Sequence, residues 1–235
     1  MKKYFFEGTD IKKDIKEKCG YEGDLAKLFA DNEGTRVNRW HHYLPLYEQY
    51  FAKYRGTPVR FLEISVYRGG SLSMWRNYLS KEATIFGIDI VPDCAAYDGK
   101  YEQVRIGSQD DPEFLASVVE EMGGIDVVLD DGSHRMEHVR ASLTALYQKL
   151  EMGGTYMIED LHTAYYRGFS GGFRGKGNFF LMVRDIIDDM HHWYHAQDIQ
   201  HPNLLDAVSG IHVHDSIVVL DKNQCHRPMF SLVPK

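Results

Sequence analysis

The sequence predicts an α/β fold built on a doubly wound, mostly parallel β-sheet. From residue 58 onwards, apolar β-branched runs alternate with amphipathic segments of helical spacing, and short loops join them. This alternation is typical of βαβ units. Two of the runs, 126–130 and 155–159, stop on acidic residues. That feature favours buried parallel strands whose carboxyl ends border a ligand site.

The predicted elements follow one another along the chain. Residues 1–20 are charged and patternless, which predicts an arm or a frayed helix, whereas apolar spacing predicts helices over 25–29 and 43–54. The first strand, turn and helix of the sheet occupy 58–79. The later elements are strands over 84–90, 101–111, 126–130 and 155–159, helices over 112–123, 134–150 and 179–195, and two short strands within 210–223. The sheet therefore has seven strands, and the last two form an antiparallel far edge.

Length and composition predict a single domain with a sizeable core, because the chain has 235 residues. We divide it into an N-terminal helical cap (1–55), a cofactor-binding core (56–160), a lid and substrate region (161–209) and C-terminal strands (210–235). The net charge of −7 argues against nucleic acid or an anionic membrane as the main partner. Three scattered cysteines, no signal segment and no apolar run of about 18 residues predict a cytoplasmic protein.

Carboxylates follow the two acidic strand ends. If the strands are neighbours, they lie about 4.8 Å apart, so Asp131, Glu159 and Asp160 can converge on one hard cation. Oxygen ligands of this kind suit Mg²⁺, and three packed carboxylates without a cation would be costly. The alternative is that Asp130 caps the next helix and Asp160 simply faces water.

Histidines lie close to this cluster. His134 comes three residues after Asp131, and histidine side chains ordinarily titrate near neutral pH, so we expect His134 to be a general base beside the metal. His138 lies one turn further along the predicted helix face and is expected to support the site from behind. The histidines within 191–195 are explained more simply by a solvated helix face.

A nucleotide cofactor is indicated by the ends of the first three strands. Glu63 ends the first strand, and Ser65 and Gly69 are small residues in the following turn, where a ligand can approach closely. Asp89 ends the second strand, where an acidic side chain can bind two ribose hydroxyls. Gln109 ends the third strand, where an adenine would lie. An ordinary strand–turn–helix with a solvated aspartate remains the alternative, and helix capping explains Asp110 equally well.

These motifs carry a family resemblance. FLEISVYRGG resembles the first motif of class I S-adenosylmethionine-dependent methyltransferases, which have a Rossmann-like fold. Together with GIDI, GSQDD, LDDGSH and IEDLHTAY, it resembles the macrocin and mycinamicin type of metal-dependent sugar O-methyltransferase over roughly residues 34–165. Ser65 and Ser108 depart from residues more usual in that group. We do not expect the extra N-terminal domain that some macrolide members carry.

The resemblance implies roles for particular residues. It implies Mg²⁺ bound by Asp131, Glu159 and Asp160, with His134 and Asp131 as the catalytic pair. The implied S-adenosylmethionine contacts are Glu63, Ser65, Tyr67, Gly69, Ser71, Asp89, Ser108, Gln109 and Asp130. The implied substrate and lid residues are His42, Tyr43, His162 and Tyr165.

The expected activity is methyl transfer from S-adenosylmethionine to a hydroxyl of a glycoside or sugar nucleotide, in natural-product or polysaccharide biosynthesis. The glycine-rich aromatic loop 162–178 is expected to close over the site, and self-association is an open expectation. Two alternatives remain. One is a cephalosporin hydroxylase-like protein on the same scaffold, and the other is a non-catalytic cofactor-binding module. The complete acidic trio with His134 argues against the non-catalytic module, because binding alone needs neither.

Overall fold

A computed structural model of the chain describes residues 4–99 and 102–234. The strands are β1 (Arg60–Ile64), β2 (Thr84–Asp89), β3 (Gln103–Ile106), β4 (Ile125–Asp130), β5 (Leu150–Ile158), β6 (Val208–His214) and β7 (Ile217–Lys222). They form one sheet in the order β3-β2-β1-β4-β5-β7-β6. Strands β1 to β5 are parallel, and β7 runs antiparallel to both of its neighbours. The predicted doubly wound sheet with an antiparallel C-terminal edge is confirmed.

Helices cover both faces of the sheet. They are α1 (Ile11–Cys19), α2 (Asp24–Ala30), α3 (Tyr43–Phe51), α4 (Gly70–Tyr78), α5 (Pro112–Met122), α6 (Met136–Tyr147) and α7 (Phe179–Met190). One core joins the sheet to α1–α4 around the buried Trp75, and a second core joins it to α5–α7. Side chains of a strand alternate between faces. Val127 and Leu129 accordingly lie in the first core and Val128 in the second. No helix among residues 4–99 and 102–234 is long and apolar enough to cross a membrane.

The N-terminal segment is more regular than its composition suggests. Asp10 accepts a hydrogen bond from the Lys13 N–H at the start of α1, and Gly20 ends the helix in the left-handed conformation (φ 64°). Both are standard capping residues. Of the two expectations for residues 1–20, an arm or a frayed helix, a helix forms over 11–19, and it is capped at both ends and not frayed. Residues 1–3 lie outside the described residues.

One predicted helix start and one weighed helix cap differ from the structure. Helix α6 begins at Met136 and not at His134, because His134 has a positive φ (55°) and Arg135 is extended. His134 and His138 therefore do not share a helix face. The cap of α5 is Asp111, whose Oδ1 accepts the N–H groups of Glu113 and Phe114. Helix capping was considered for Asp110, and that prediction was wrong, because the neighbouring Asp111 caps α5.

The loop 161–178 is compact. Its glycines allow close packing, because a Cβ on Gly171 would lie 2.3 Å from the Ala164 carbonyl oxygen and one on Gly177 would lie 2.0 Å from that of Ser170. The buried Asn178 Nδ2 donates to the carbonyls of Ala164 and Gly172 at 3.0 and 3.1 Å. The glycines thus have a packing role, and closure of the loop over a ligand stays a prediction.

Candidate active site

The acidic ends of β4 and β5 lie side by side. Asp130 is paired with Ile158 in the parallel register, so Asp131 and the pair Glu159–Asp160 leave the sheet at the same edge. Candidate ligand atoms of Asp131, His134 and Asp160 all lie within 4.8 Å of one another. Glu159 is not a member of this group, although its backbone N–H bonds to the Asp130 carbonyl beside it. The predicted adjacency of the two strands is confirmed.

His134 is held at the mouth of the cluster by its backbone. Its Nε2 lies 3.6 Å from Asp160 Oδ2 and 4.0 Å from Asp131 Oδ1. Its carbonyl accepts a hydrogen bond from Thr163 Oγ1 at 3.1 Å. Both His134 and Asp160 (φ 54°) adopt left-handed conformations, which cost energy for residues with side chains and cluster at functional sites. The turn after Asp131 also requires Gly132, because a Cβ there would lie 2.2 Å from Gln109 Oε1.

Side chains within residues 40–47 donate hydrogen bonds to one carboxylate oxygen each of Glu159 and Asp160. The Tyr47 hydroxyl donates to Glu159 Oε1. Asp160 Oδ1 accepts both the Tyr43 hydroxyl, at 2.7 Å, and the indole Nε1–H of Trp40, at 3.0 Å. These contacts leave Asp160 Oδ2 directed towards His134. These contacts hold Glu159 and Asp160 in place, while the side chains of Asp131, His134 and Asp160 remain 17%, 23% and 20% exposed.

The negative charge of the cluster is only partly compensated. Burial raises the pKa of Glu159 well above its usual range, and the neighbouring Asp131 raises it further. Burial also raises the pKa of Asp131, although Arg39 and His134 oppose that shift. A bound cation would stabilise the ionised forms. The donor set therefore fits a divalent metal ion, with carboxylate oxygens and an imidazole nitrogen available.

Two of the expected cofactor residues flank the turn between β1 and α4: Glu63 lies in β1 and Ser71 in the first turn of α4. Glu63 is buried and accepts hydrogen bonds from Ser71 Oγ and from Arg39 Nη2, the latter at 2.5 Å. Its other oxygen, Oε2, is buried and has no hydrogen-bond partner among the residues that the structure describes. Burial raises the pKa of Glu63 to about 7, against the opposing effects of Arg39 and Ser71. An unpartnered buried carboxylate oxygen is suited to a cationic ligand group such as the ammonium of an amino acid.

The turn itself is built from three residues with positive φ. They are Ser65 (94°), Tyr67 (53°) and Gly69 (72°). Asp89 fixes this turn, because its Oδ2 accepts the N–H groups of Val66 and Tyr67 at 2.9 and 3.0 Å. Burial acts to raise the pKa of Asp89, but backbone donors, the Val91 N–H first and then those of Tyr67 and Val66, outweigh it and the net shift is downward. The ribose role of Asp89 stays a prediction, and the structure adds a role in shaping the loop.

Asp130 and Gln109, two of the predicted cofactor residues, belong to one buried hydrogen-bond network. Asp130 is 1% exposed and accepts hydrogen bonds from Ser142 Oγ, Gln109 Nε2 and the Tyr156 hydroxyl at 2.5, 3.2 and 3.3 Å. Gln109 Oε1 accepts the Ser133 N–H at 2.6 Å. Asp130 lies on the same face of β4 as Val128, towards the α5–α7 core, and Gln109 lies in the loop after β3. Their role as cofactor contacts stays a prediction, and the structure adds a hydrogen-bond network that joins them.

The remaining predicted site residues are more accessible. Ser108 Oγ donates to Asp110 in the loop after β3. His162 Nδ1 lies 2.7 Å from Ser216 Oγ, and its ring packs against Trp40. Tyr165 is half exposed. His42 and Tyr43 are less accessible: Tyr43 is buried, and the Nε2 atom of His42 is buried and has no hydrogen-bond partner within residues 4–99 and 102–234.

The other histidines lie apart from the cluster. His138 Nδ1 lies 2.9 Å from Ser133 Oγ, and its Nε2 lies 3.6 Å from Asp110. His191 and His195 lie within hydrogen-bond distance of backbone carbonyls at the end of α7. Neither set belongs to the metal-ligating group found among the described residues.

Sequence reasoning did not single out Arg39, Trp40 or Tyr47. The family resemblance implied substrate roles for the nearby His42 and Tyr43, but no role for these three residues followed from composition. The signal that could have found Tyr47 is spacing: Tyr43 and Tyr47 lie four residues apart in α3, which places their side chains on one face of the helix. Arg39 and Trp40 precede α3 and have no such signal. The ends of β4 and β5 that these side chains contact lie more than 90 residues away in the chain, and no local sequence pattern predicts those contacts.

Known proteins of similar sequence share most of this chain. The 8-demethyl-8-(2-methoxy-alpha-L-rhamnosyl)-tetracenomycin-C 3'-O-methyltransferase of Streptomyces olivaceus is 36% identical over 214 residues, covering 86% of this chain and 54% of that protein. Demethylmacrocin O-methyltransferase of Streptomyces fradiae is 36% identical over 211 residues, covering 85% and 53%. The chain thus spans about half the length of these curated relatives. No family model matches it.

Solved structures agree with the sequence relatives. The methyltransferase MycE of the mycinamycin biosynthetic pathway, in complex with Mg, SAH and mycinamycin VI, superposes with a TM-score of 0.77 at 31% identity. The match covers 86% of this chain and 54% of MycE. By fold, the chain belongs to the class I S-adenosylmethionine-dependent methyltransferases. Within that class it is a relative of the macrocin- and mycinamicin-type sugar O-methyltransferases, and the resemblance predicted from the DDGSH and IED motifs is confirmed.

Proposed function

We propose that this chain is an S-adenosylmethionine-dependent O-methyltransferase that needs Mg²⁺ or a similar cation. Its acceptor is a hydroxyl of a sugar, in a glycoside or sugar nucleotide of natural-product or polysaccharide biosynthesis. The observation that carries the proposal is the convergence of Asp131, His134 and Asp160 at the sheet edge, next to the buried Glu63. The names of the sequence relatives support it, because they are O-methyltransferases and the Streptomyces olivaceus relative is named for a rhamnosyl-bearing tetracenomycin.

Each ligand has residues that could hold it. Asp131, Glu159 and Asp160 would hold the cation, and Glu63 with the β1–α4 turn would hold the cofactor. When bound, S-adenosylmethionine supplies the methyl group and the cation supplies Lewis acidity towards an acceptor hydroxyl.

The chain's own contribution is proton removal and orientation. His134 Nε2 faces the cluster and would receive the acceptor proton there, while the Thr163 hydrogen bond to its carbonyl holds the residue in place. The outer oxygens of the carboxylates are fixed by Tyr43 and Tyr47, which limits the orientations open to the acceptor.

A wall of aromatic rings leads outwards from the cluster. Trp40, His162 and Tyr166 follow one another at ring separations of 5.6 and 6.0 Å. Tyr165 stacks beside this wall on the exposed Phe173. Aromatic faces suit the apolar faces of a sugar ring and an apolar aglycone. We therefore favour a glycoside with a hydrophobic aglycone over a sugar nucleotide. Self-association remains an expectation.

The test replaces His134 and, as its matched control, His138. In the His134→Ala variant we expect turnover to fall about 10²- to 10⁴-fold, the usual contribution of a general base. Affinity for S-adenosylmethionine should be retained. Transfer of a labelled methyl group to mycinamicin VI or demethylmacrocin would measure turnover, and calorimetry would measure cofactor and Mg²⁺ binding. His138→Ala should change neither turnover nor the affinity for S-adenosylmethionine or Mg²⁺.

Several outcomes separate the possible roles. Unchanged turnover in His134→Ala would exclude His134 as the base. A large loss of Mg²⁺ affinity in the same variant would make His134 a metal ligand instead, as its place in the cluster allows. If the unaltered protein binds neither S-adenosylmethionine nor Mg²⁺ while folded, the methyltransferase proposal fails and a non-catalytic module is favoured.

A further inference from the structure

Arg39 joins the cofactor side of the site to the metal side. Its Nη2 donates to Glu63 Oε1 and Ser71 Oγ, both at 2.5 Å, and its Nη1 donates to Asp131 Oδ2 at 2.5 Å. The side chain is only 6% exposed. A guanidinium is planar and presents its donors in a fixed fork, so one Arg can set the distance between two carboxylates.

The choice of oxygen on Asp131 matters. Arg39 takes Oδ2, whereas Oδ1 is the oxygen nearest His134, at 4.0 Å from its Nε2. Asp160 has the same arrangement, with one oxygen held by Trp40 and Tyr43 and the other facing His134. Outer hydrogen bonds of this kind orient metal-binding carboxylates, and their removal typically weakens metal affinity 10- to 100-fold.

The pair Arg39–Glu63 is incompletely satisfied. Arg39 Nε and Glu63 Oε2 are both buried without a hydrogen-bond partner among the described residues. A charged ligand group that engages Glu63 would therefore redistribute the hydrogen bonds of Arg39. Because the same guanidinium holds Asp131, that redistribution reaches the metal side directly.

We propose that Arg39 is a positioning residue that presents Asp131 to the divalent cation and couples cation binding to cofactor binding. The inference rests on the proposed function for the identity of these two ligands. The connection runs through one side chain, Glu63–Arg39–Asp131, so it is a contiguous physical link between two sites. By linkage, the cofactor must then change Mg²⁺ affinity by the same factor as Mg²⁺ changes cofactor affinity.

The experiment is calorimetric titration of Mg²⁺ into the metal-stripped full chain, with and without S-adenosylhomocysteine. The variants are Arg39→Met and Arg39→Lys. Lysine keeps the charge but is a point donor that cannot reproduce the fork. The matched control is Arg36→Met, which removes the same charge from an exposed position in the same segment. Thermal unfolding checks that each variant is folded, and Arg39→Lys carries the test if Arg39→Met is not.

We expect Mg²⁺ affinity to fall 10- to 100-fold in both Arg39 variants and to stay unchanged in Arg36→Met. In the unaltered protein, S-adenosylhomocysteine should change Mg²⁺ affinity by about 5-fold or more, and this ratio should approach one in the Arg39 variants. Tighter Mg²⁺ binding by Arg39→Met would show that the guanidinium competes with the cation, and would overturn the proposal. Unchanged affinity and an unchanged ratio would overturn it as well. If the unaltered protein binds no Mg²⁺, the proposed function fails together with this inference.

Discussion

Asp130 and Asp131 are neighbours in the chain, yet they lie in opposite environments. Asp130 faces the α5–α7 core, where Ser142, Gln109 and Tyr156 all donate to it. Asp131 faces the α1–α4 side, where Arg39 holds one oxygen and the cluster with His134 and Asp160 receives the other. The pleat of the strand produces this separation, since successive side chains point to opposite faces. On the Asp130 face, the carboxylate is satisfied by hydrogen bonds from the protein. On the Asp131 face, carboxylate charge and strained backbone remain, as is usual where a ligand binds.

The largest expected effect comes from exchanging the carboxylate on each face. Asp131→Asn should weaken Mg²⁺ binding by more than 100-fold, because it removes a ligand charge and not merely an outer partner. Asp130→Asn should leave Mg²⁺ affinity within a few-fold and instead lower the free energy of unfolding by about 1–3 kcal/mol, as its buried donors lose a charged acceptor. Calorimetric titration and urea unfolding measure the two quantities.

Similar changes of Mg²⁺ affinity and of stability in Asp130→Asn and Asp131→Asn would contradict the proposed difference between the two faces. Equal loss of Mg²⁺ affinity in Asp130→Asn would mean that the buried network reaches the metal site. Equal loss of stability in Asp131→Asn would mean that Asp131 is mainly a structural acid.

Much of this arrangement was predictable because its signals are local. Apolar patterning predicts where the strands end and where the acidic residues follow them. The short loops between elements predict the parallel sheet with its antiparallel C-terminal edge. The burial of Asp130 could also have been predicted: Val127 and Leu129 alternate with Val128, so Asp130 and Asp131 must face opposite sides.

The rest depends on contacts between distant parts of the chain. Tyr47 meets Glu159 across 112 residues and Arg39 meets Asp131 across 92, and no local pattern specifies either contact. The left-handed conformations of His134 and Asp160 likewise leave no mark in the sequence, because neither residue is glycine. Only the backbone dihedral angles of the folded chain show these two conformations.

A second, smaller effect concerns pH. Burial raises the pKa of Glu159 above its usual range, so the folded, metal-free protein binds this proton more tightly than the unfolded chain does. Its stabilising contribution is complete below pH of about 4.5 and is lost as pH rises through the raised value, by at most about 1.4 kcal/mol per pH unit. Glu159→Gln keeps an acceptor for Tyr47 and should flatten this decline by about 1–2 kcal/mol between pH 5 and 7.

Urea unfolding of the metal-stripped protein across that pH range provides the measurement. Glu120→Gln is the control, because Glu120 is exposed on α5. A decline of equal slope in Glu159→Gln and in the unaltered protein would show that Glu159 ionises normally, and that the charge of the cluster is already balanced without a cation.

The smallest expected effect tests whether the site face stores backbone strain. Ser65 has a φ of 94° in the turn that follows β1, a conformation that glycine adopts without cost. Ser65→Gly should stabilise the protein by about 1 kcal/mol, since relief of a strained residue exceeds the added flexibility of the unfolded chain. That corresponds to a rise of about 2–4 °C in Tm for a chain of this size. Ser117→Gly, within helix α5, should instead destabilise by a similar amount. If Ser65→Gly destabilises as Ser117→Gly does, then Ser65 is held by favourable contacts and the turn is unstrained. The difference between the two faces would then reside in charge alone.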